Sequence, residues 1–147
     1  MFRFEKADLP GLDRLRPLWQ AALAELGEDR GGFEACREAL CAGTAGGERF
    51  YAAVLVDLAG ETGRDAGFVA VSYDREASCG RVEMLYLDPE YRGRGLGRQL
   101  LKMGLSCLEI HCIREKRIAV PYGGGAALRL CESFGFRPQR VECLLRP

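Results

Sequence analysis

The stretch Leu85-Tyr86-Leu87-Asp88-Pro89-Glu90-Tyr91-Arg92-Gly93-Arg94-Gly95-Leu96-Gly97 decides the fold of this chain. Its apolar start reads as a strand that stops at Asp88-Pro89. Beyond the glycines, Leu96, Leu100, Leu101, Leu105 and Leu108 recur at helical spacing, with Arg98, Lys102 and Glu109 between them. A strand therefore enters a glycine-rich turn, and the turn opens a helix. The first N–H groups of a helix lack internal partners and lie at the positive end of its dipole. Glycines let a ligand approach that backbone closely. Gly93, Gly95 and Gly97, flanked by Arg92, Arg94 and Arg98, describe an anion cradle suited to phosphate. A bare tight turn would account for one or two glycines, not for three alternating with arginines. A P-loop would need Lys-Ser or Lys-Thr where Arg98-Gln99 stands, and a dinucleotide fingerprint would need G-x-G-x-x-G rather than G-x-G-x-G.

Working outward, Phe2-Arg3-Phe4 reads as a first strand and Asp8 as an N-cap. Leu12 to Leu26 has helical spacing, with Pro17 kinking or splitting the helix and Gly27 closing it. A second helix carries Phe33, Cys36 and Leu40 and stops at Gly43. Phe50–Leu58, Gly67–Tyr73 and Arg81–Leu87 read as an antiparallel meander. After the long helix come a strand over Arg117–Val120, a helix from about Ala126 to Phe134, and a last strand over Phe136–Leu145. The order β-α-α-β-β-β-α-β-α-β predicts an α/β (α+β) domain with a mostly antiparallel sheet. The strand–helix–strand unit from Arg81 to Val120 places one parallel pair in it.

Composition bounds the function. At 147 residues the chain is sized for one domain, 1–147. Its 21 cations balance its 21 anions, which argues against a nucleic-acid surface; no polybasic run suits a membrane, and no apolar run spans one. The N-terminus turns charged at once and does not read as a signal peptide, so cytoplasm is the expected compartment. The seven cysteines include no C-x-x-C and fit reduced thiols. His111 is the single histidine, which excludes multi-histidine metal sites. Cys107 and His111 form an i, i+4 pair without a second ligand pair, so no metal is expected. Nineteen glycines are roughly twice average usage, and the cradle explains part of the excess.

Arg92, Gly95 and Gly97 match [Q/R]-x-x-G-x-[G/A], and Gly124-x-x-Ala127-x-x-Leu130-Cys131-Glu132-x-x-Gly135-Phe136 follows downstream. Together with the preceding strand, these resemble the acetyl-CoA-binding motif and the Asn-x-x-Ala-x-x-Leu-Tyr-Glu-x-x-Gly-Phe ending of the GNAT superfamily of N-acetyltransferases. The resemblance implies that the parallel strands splay apart and that acetyl-CoA is the co-substrate, wedged between them. It implies that the backbone of Leu85, Tyr86 and Leu87 pairs with the pantetheine arm. The amides of Arg92, Gly93, Arg94, Gly95, Leu96 and Gly97 would hold the pyrophosphate, and Arg98 would reach a phosphate oxygen. The Leu85 N–H would donate to the thioester oxygen.

The acceptor would be a primary amine on a small molecule, a protein or a peptide. Glu83, two residues before Leu85 and so expected on the same strand face, is the candidate base; its other reading is a cleft-lining carboxylate. Gly124 replaces the family's Asn, and Cys131 its acidic Tyr. Cys131 therefore reads as a packing thiol, a proton donor or a transient acyl carrier, and Tyr122 as a substitute acid. Ala127 lies in the same cofactor-facing ending. Trp19, Phe33 and Tyr73 read as core or as acceptor-cleft wall. The resemblance leaves a homodimer open. The alternative function is a CoA-binding sensor or structural subunit whose catalysis has decayed.

Overall fold

The computed structural model describes residues 1–27, 32–120 and 124–147. Strand β1 (Phe2–Ala7) leads into a turn in which the Asp8 carboxylate accepts the Gly11 N–H at 2.8 Å. A short 3-10 turn, Leu12–Leu15, precedes helix α1 (Arg16–Leu26), with Pro17 in the first turn of α1. The proline thus splits the predicted helix, because its missing N–H and fixed φ suit a helix start. Gly27, at φ 66°, ends α1 in the left-handed conformation. Helix α2 (Gly32–Ala45) runs two residues past its expected stop. Gly43 is helical there, and a Cβ on it would collide with the Glu48 carboxylate, so this glycine leaves room for a side chain rather than ending a helix.

Strands β2 (Arg49–Asp57), β3 (Arg64–Asp74) and β4 (Cys79–Leu87) form the antiparallel meander. Helix α3 (Leu96–Ile110), strand β5 (Glu115–Ile118) and helix α4 (Gly125–Ser133) follow. Among the described residues the sheet has five strands in the order β1-β2-β3-β4-β5, and only the β4–β5 pairing is parallel.

The predicted last strand is not formed. Phe136 packs against the core, but 137–147 is exposed and irregular, with Leu145 94% accessible. Pro138 removes a ladder donor, and apolar residues at 141, 143, 144 and 145 give the segment no single face to bury.

Two apolar layers flank the sheet. On one side Leu100, Leu101, Leu105 and Leu108 of α3, with Cys131 of α4, cover Val69, Val71 and Val82. On the other, Leu12, Leu15, Trp19 and Phe33 cover Val54, Phe68 and Ala70. Trp19 stacks on Phe68 at 5.3 Å and meets Phe33 edge-on at 6.0 Å. Both Trp19 and Phe33 are 2% exposed, so they are core rather than cleft wall. Tyr73 lies on the α3 side, stacked on His111 at 4.7 Å. Gly104 brings α3 onto the sheet: a Cβ there would lie 2.9 Å from Val69 Cγ2 and 3.1 Å from Val71 Cγ1.

Candidate active site

The parallel pairing of β4 with β5 covers only Cys79–Val82 against Glu115–Ile118. Strand β4 continues to Leu87, still paired with β3, so among the described residues Glu83–Leu87 has an open edge on the β5 side. The parallel ladder therefore stops at Val82–Ile118, where β5 ends. Asp88 N–H donates to Ala66 O at 2.8 Å, in register with the Tyr86–Phe68 and Met84–Ala70 pairs. Hydrogen-bonded and non-bonded pairs alternate in an antiparallel ladder. The N–H and C=O of Leu85 and Leu87 thus turn away from β3 and into the opening. The Leu87 carbonyl accepts from Arg92 Nε at 2.9 Å, as that orientation requires.

The glycine turn lies beyond this opening. Asp88 begins a short 3-10 turn, Pro89–Tyr91, and its carboxylate accepts the Glu90 N–H. Tyr91 is buried, with its hydroxyl donating to Asp57 Oδ2 at 2.7 Å. Gly93 and Gly95 sit at φ 81° and 76°, in the region that disfavours side chains, and nothing lies within 4 Å of a Cβ on either. Gly95 is the N-cap of α3. Among the described residues, the amides from Gly93 to Arg98 have no backbone partner, whereas the Arg92 amide donates to Pro89 O at 3.2 Å. The result is an open row of donors at a helix start, which suits a phosphate.

The arginines divide into separate tasks. Arg98 Nη2 donates to Ser133 Oγ at 2.8 Å, and its guanidinium lies over the Phe134 ring at 5.1 Å, tying the start of α3 to the end of α4. Arg94 lies over Tyr91 at 5.9 Å. Arg92 instead grips Glu25 of α1 through two 2.6 Å bonds and holds that carboxyl below its ordinary range. A sequence reading of the arginines as a uniform positive rim misses this division, because Glu25 is 67 residues away along the chain.

A bulge changes the expected placement of Glu83. The β3–β4 register shifts between Ala70–Met84 and Val71–Val82, leaving Glu83 without a partner of its own. Val82 and Leu85 pack toward α3, whereas Met84 and Tyr86 pack toward α1 and α2. Glu83 Oε1 accepts from the Ser72 hydroxyl at 2.6 Å, and Ser72 follows Val71 and precedes Tyr73, both of which face α3. Ser72 and Glu83 therefore lie on the α1/α2 side. The expected shared face of Glu83 and Leu85 does not hold, because one extra residue switches the alternation. Ser72 is 7% exposed, and nothing in its local sequence marks it as the partner of Glu83, which lies 11 residues away.

Residues 46–138 match the sequence model of the acetyltransferase (GNAT) domain. The chain belongs to the GNAT acetyltransferase family. Mycothiol acetyltransferase from Thermobispora bispora is 39% identical over 71 residues, covering 48% of this chain and 24% of that protein. This chain thus matches about a quarter of that relative's length. A predicted acetyltransferase from Clostridium acetobutylicum, solved with acetyl-CoA, superposes with a TM-score of 0.72 at 15% identity, over 99% of this chain and 96% of that one. The NatC complex bound to Gag peptide and CoA gives a TM-score of 0.75 at 18% identity, over 95% and 86%. These two structures establish the shared GNAT fold.

Cys131 is 3% exposed and packed in the α3-side core. Burial, with Glu132 nearby, pushes its thiol above the ordinary range. A thiol held protonated is a poor nucleophile. Gly124 caps α4 without a side chain, and Ala127 is exposed on the first turn of that helix. Leu130 of α4 approaches Gly97, since a Cβ there would lie 4.0 Å from Leu130 Cδ2. The expectation for Tyr122 falls outside the described residues, as does Gly123. Among the described residues, no group of three or more His, Cys, Asp or Glu side chains is placed to hold a metal. No helix among them is long and apolar enough to cross a membrane.

Proposed function

We propose that this chain transfers the acetyl group of acetyl-CoA to a primary amine by direct attack. The observation that carries the reading is the alignment of an open β4 edge with the unpartnered amides at the start of α3. The open edge suits the amide-bearing pantetheine arm as an added strand. The amides of Gly93 to Gly97, with Arg98 beside them, suit the pyrophosphate. The Leu85 N–H, turned into the opening, donates to the thioester oxygen as charge builds there.

An alkylamine near pKa 10 is mostly protonated at neutral pH and must lose a proton before it attacks. Glu83 takes that proton, directly or through water, from the α1/α2 side of the bulge. Nitrogen then bonds to the carbonyl carbon, the carbon–sulfur bond breaks, and the thiolate leaves to be protonated. Cys131 is a packed thiol and not an acyl carrier. The acceptor is an amine on a small molecule or a peptide.

A CoA-binding module without turnover is the second reading. The burial of Cys131 and the bare cap at Gly124, which depart from the Tyr and Asn of the motif that the chain resembles, favour it. One experiment separates the two. Purified protein is mixed with acetyl-CoA and a panel of small amines, amino acids and peptides, and free thiol is followed. The enzyme releases thiol with at least one amine class, whereas the binding module retains acetyl-CoA without release. Absence of CoA binding at millimolar concentration would falsify both.

A further inference from the structure

We infer that Arg92 and Glu25 form a clamp that shapes the phosphate cradle and withholds the Arg92 guanidinium from the phosphate. The inference rests on the acetyl-CoA reading above. Three of the five guanidinium N–H donors are committed: one each from Nη1 and Nη2 to the two Glu25 oxygens at 2.6 Å, and Nε to Leu87 O at 2.9 Å. Its main-chain N–H is committed as well, to Pro89 O. The residue is thus fixed through both its side chain and its backbone. Gly93, at φ 81°, follows it directly and starts the row of free amides.

The geometry connects three elements at one point. Glu25 lies in the last turn of α1, Leu87 ends β4, and Arg92 enters the glycine turn. The ring of Tyr86 lies 5.6 Å from the guanidinium carbon. The bond to Leu87 O also closes the end of the open strand edge, leaving the Leu85 N–H and C=O and the Leu87 N–H for an added strand. Arginine and glutamate together present no net charge to an anion. The attraction for phosphate then falls to the amides, Arg94 and Arg98. A bidentate arginine–carboxylate pair has the geometry in which even a half-exposed ion pair fixes orientation.

The clamp and a direct phosphate contact predict opposite signs at Glu25. If Arg92 were a phosphate ligand, Glu25 would compete for it, and removing that carboxylate would tighten CoA binding. If the pair is a clamp, removing either partner loosens the same loop. The test is calorimetric titration of CoA into the wild-type protein and into Glu25→Gln, Arg92→Gln and the double variant. Amide hydrogen exchange of Arg92 and Gln99, whose N–H groups are held by Pro89 O and Gly95 O on either side of the glycine turn, is measured in parallel on the free proteins.

The expected result is a similar loss of affinity in both single variants, about two- to five-fold. The double variant is no weaker than either single one, and exchange is faster in all three. Tighter binding by Glu25→Gln with weaker binding by Arg92→Gln overturns the clamp in favour of a phosphate ligand. Unchanged affinity in both single variants overturns it whatever the exchange shows. If the wild type binds no CoA, the acetyl-CoA reading fails. Exchange then decides the clamp alone: faster exchange in both single variants supports it, and unchanged exchange overturns it.

Discussion

A carboxylate on a bulge has its direction fixed by something other than strand alternation. For Glu83 that something is the buried Ser72 hydroxyl at 2.6 Å. If Glu83 accepts the amine proton, Glu83→Gln lowers kcat about ten-fold or more at neutral pH, with acetyl-CoA affinity unchanged. If it only lines the cleft, KM for the amine rises and kcat stays. Steady-state kinetics with any amine that supports thiol release separates the two. Ser72→Ala is expected to lower kcat about three-fold through loss of orientation, and to add almost nothing in the Glu83→Gln background. Additive losses would mean that Ser72 serves the fold and not the carboxylate. Cys131 gives a contrasting expectation. With its thiol buried and protonated, Cys131→Ala should cost roughly 1 kcal/mol of stability, yet leave turnover per folded molecule within about three-fold. An acetyl adduct on Cys131 by mass spectrometry would contradict that view.

The strand–turn–helix unit from β4 to α3 was readable because every signal in it is local. The strand run, Asp88-Pro89, the alternating glycines and the leucine stripe all lie within about 25 residues. The break at Pro17 and the stop at Gly27 were readable for the same reason. What could not be read depends on pairing across the sheet or between distant segments. The bulge at Glu83 exists only as a register shift against β3, the Glu25–Arg92 pair spans 67 positions, and Gly43 is explained by Glu48 rather than by a helix end. The missing last strand shows the limit of apolar content without alternation. Two glycines test the elements themselves. Gly104→Ala gains helix propensity of roughly 1 kcal/mol but forces a methyl within 2.9 Å of Val69, which costs about 1–3 kcal/mol. The net expectation is a lower melting temperature with unchanged CoA affinity per folded molecule. Gly95→Ala meets no neighbour but must hold φ 76°, at a cost of about 1 kcal/mol or more. It should weaken CoA binding several-fold through the cradle, and unchanged affinity would count against the cradle as the phosphate site.

Ion pairs and buried thiols together set how the whole molecule answers to pH. Arginines hold several carboxyls below their ordinary ranges: Arg14 acts on Glu5, Arg37 and then Arg16 on Asp13, Arg92 on Glu25, and Arg117 on Glu115. A carboxyl whose folded pKa is depressed adds stability that is present above its unfolded pKa and is lost as the pH falls through the folded value. Unfolding should therefore become easier below about pH 4.5. These pairs are largely exposed, so added salt should flatten that limb. The alkaline limb has a different origin. Burial raises the Cys131 and Cys107 thiols above their ordinary range, and Tyr51 and Tyr73 are raised by burial as well. Stability from a group raised in this way is full below its unfolded pKa and disappears as the pH rises through the folded one. The melting temperature should thus be highest between about pH 5 and 8 and fall on both sides. Tyr86 is raised by burial as well, whereas Cys79 and Tyr91 are raised first by hydrogen bonds to Glu115 and Asp57, so salt should leave the burial part of the alkaline limb nearly unchanged. Thermal melts from pH 3 to 10.5 at low and high salt read both limbs at once. Cys107→Ala and Cys131→Ala should each make the alkaline fall shallower. If neither does, the fall belongs to Cys79 or to the raised tyrosines Tyr51, Tyr73, Tyr86 and Tyr91, and a fall set by the tyrosines should begin about one pH unit higher.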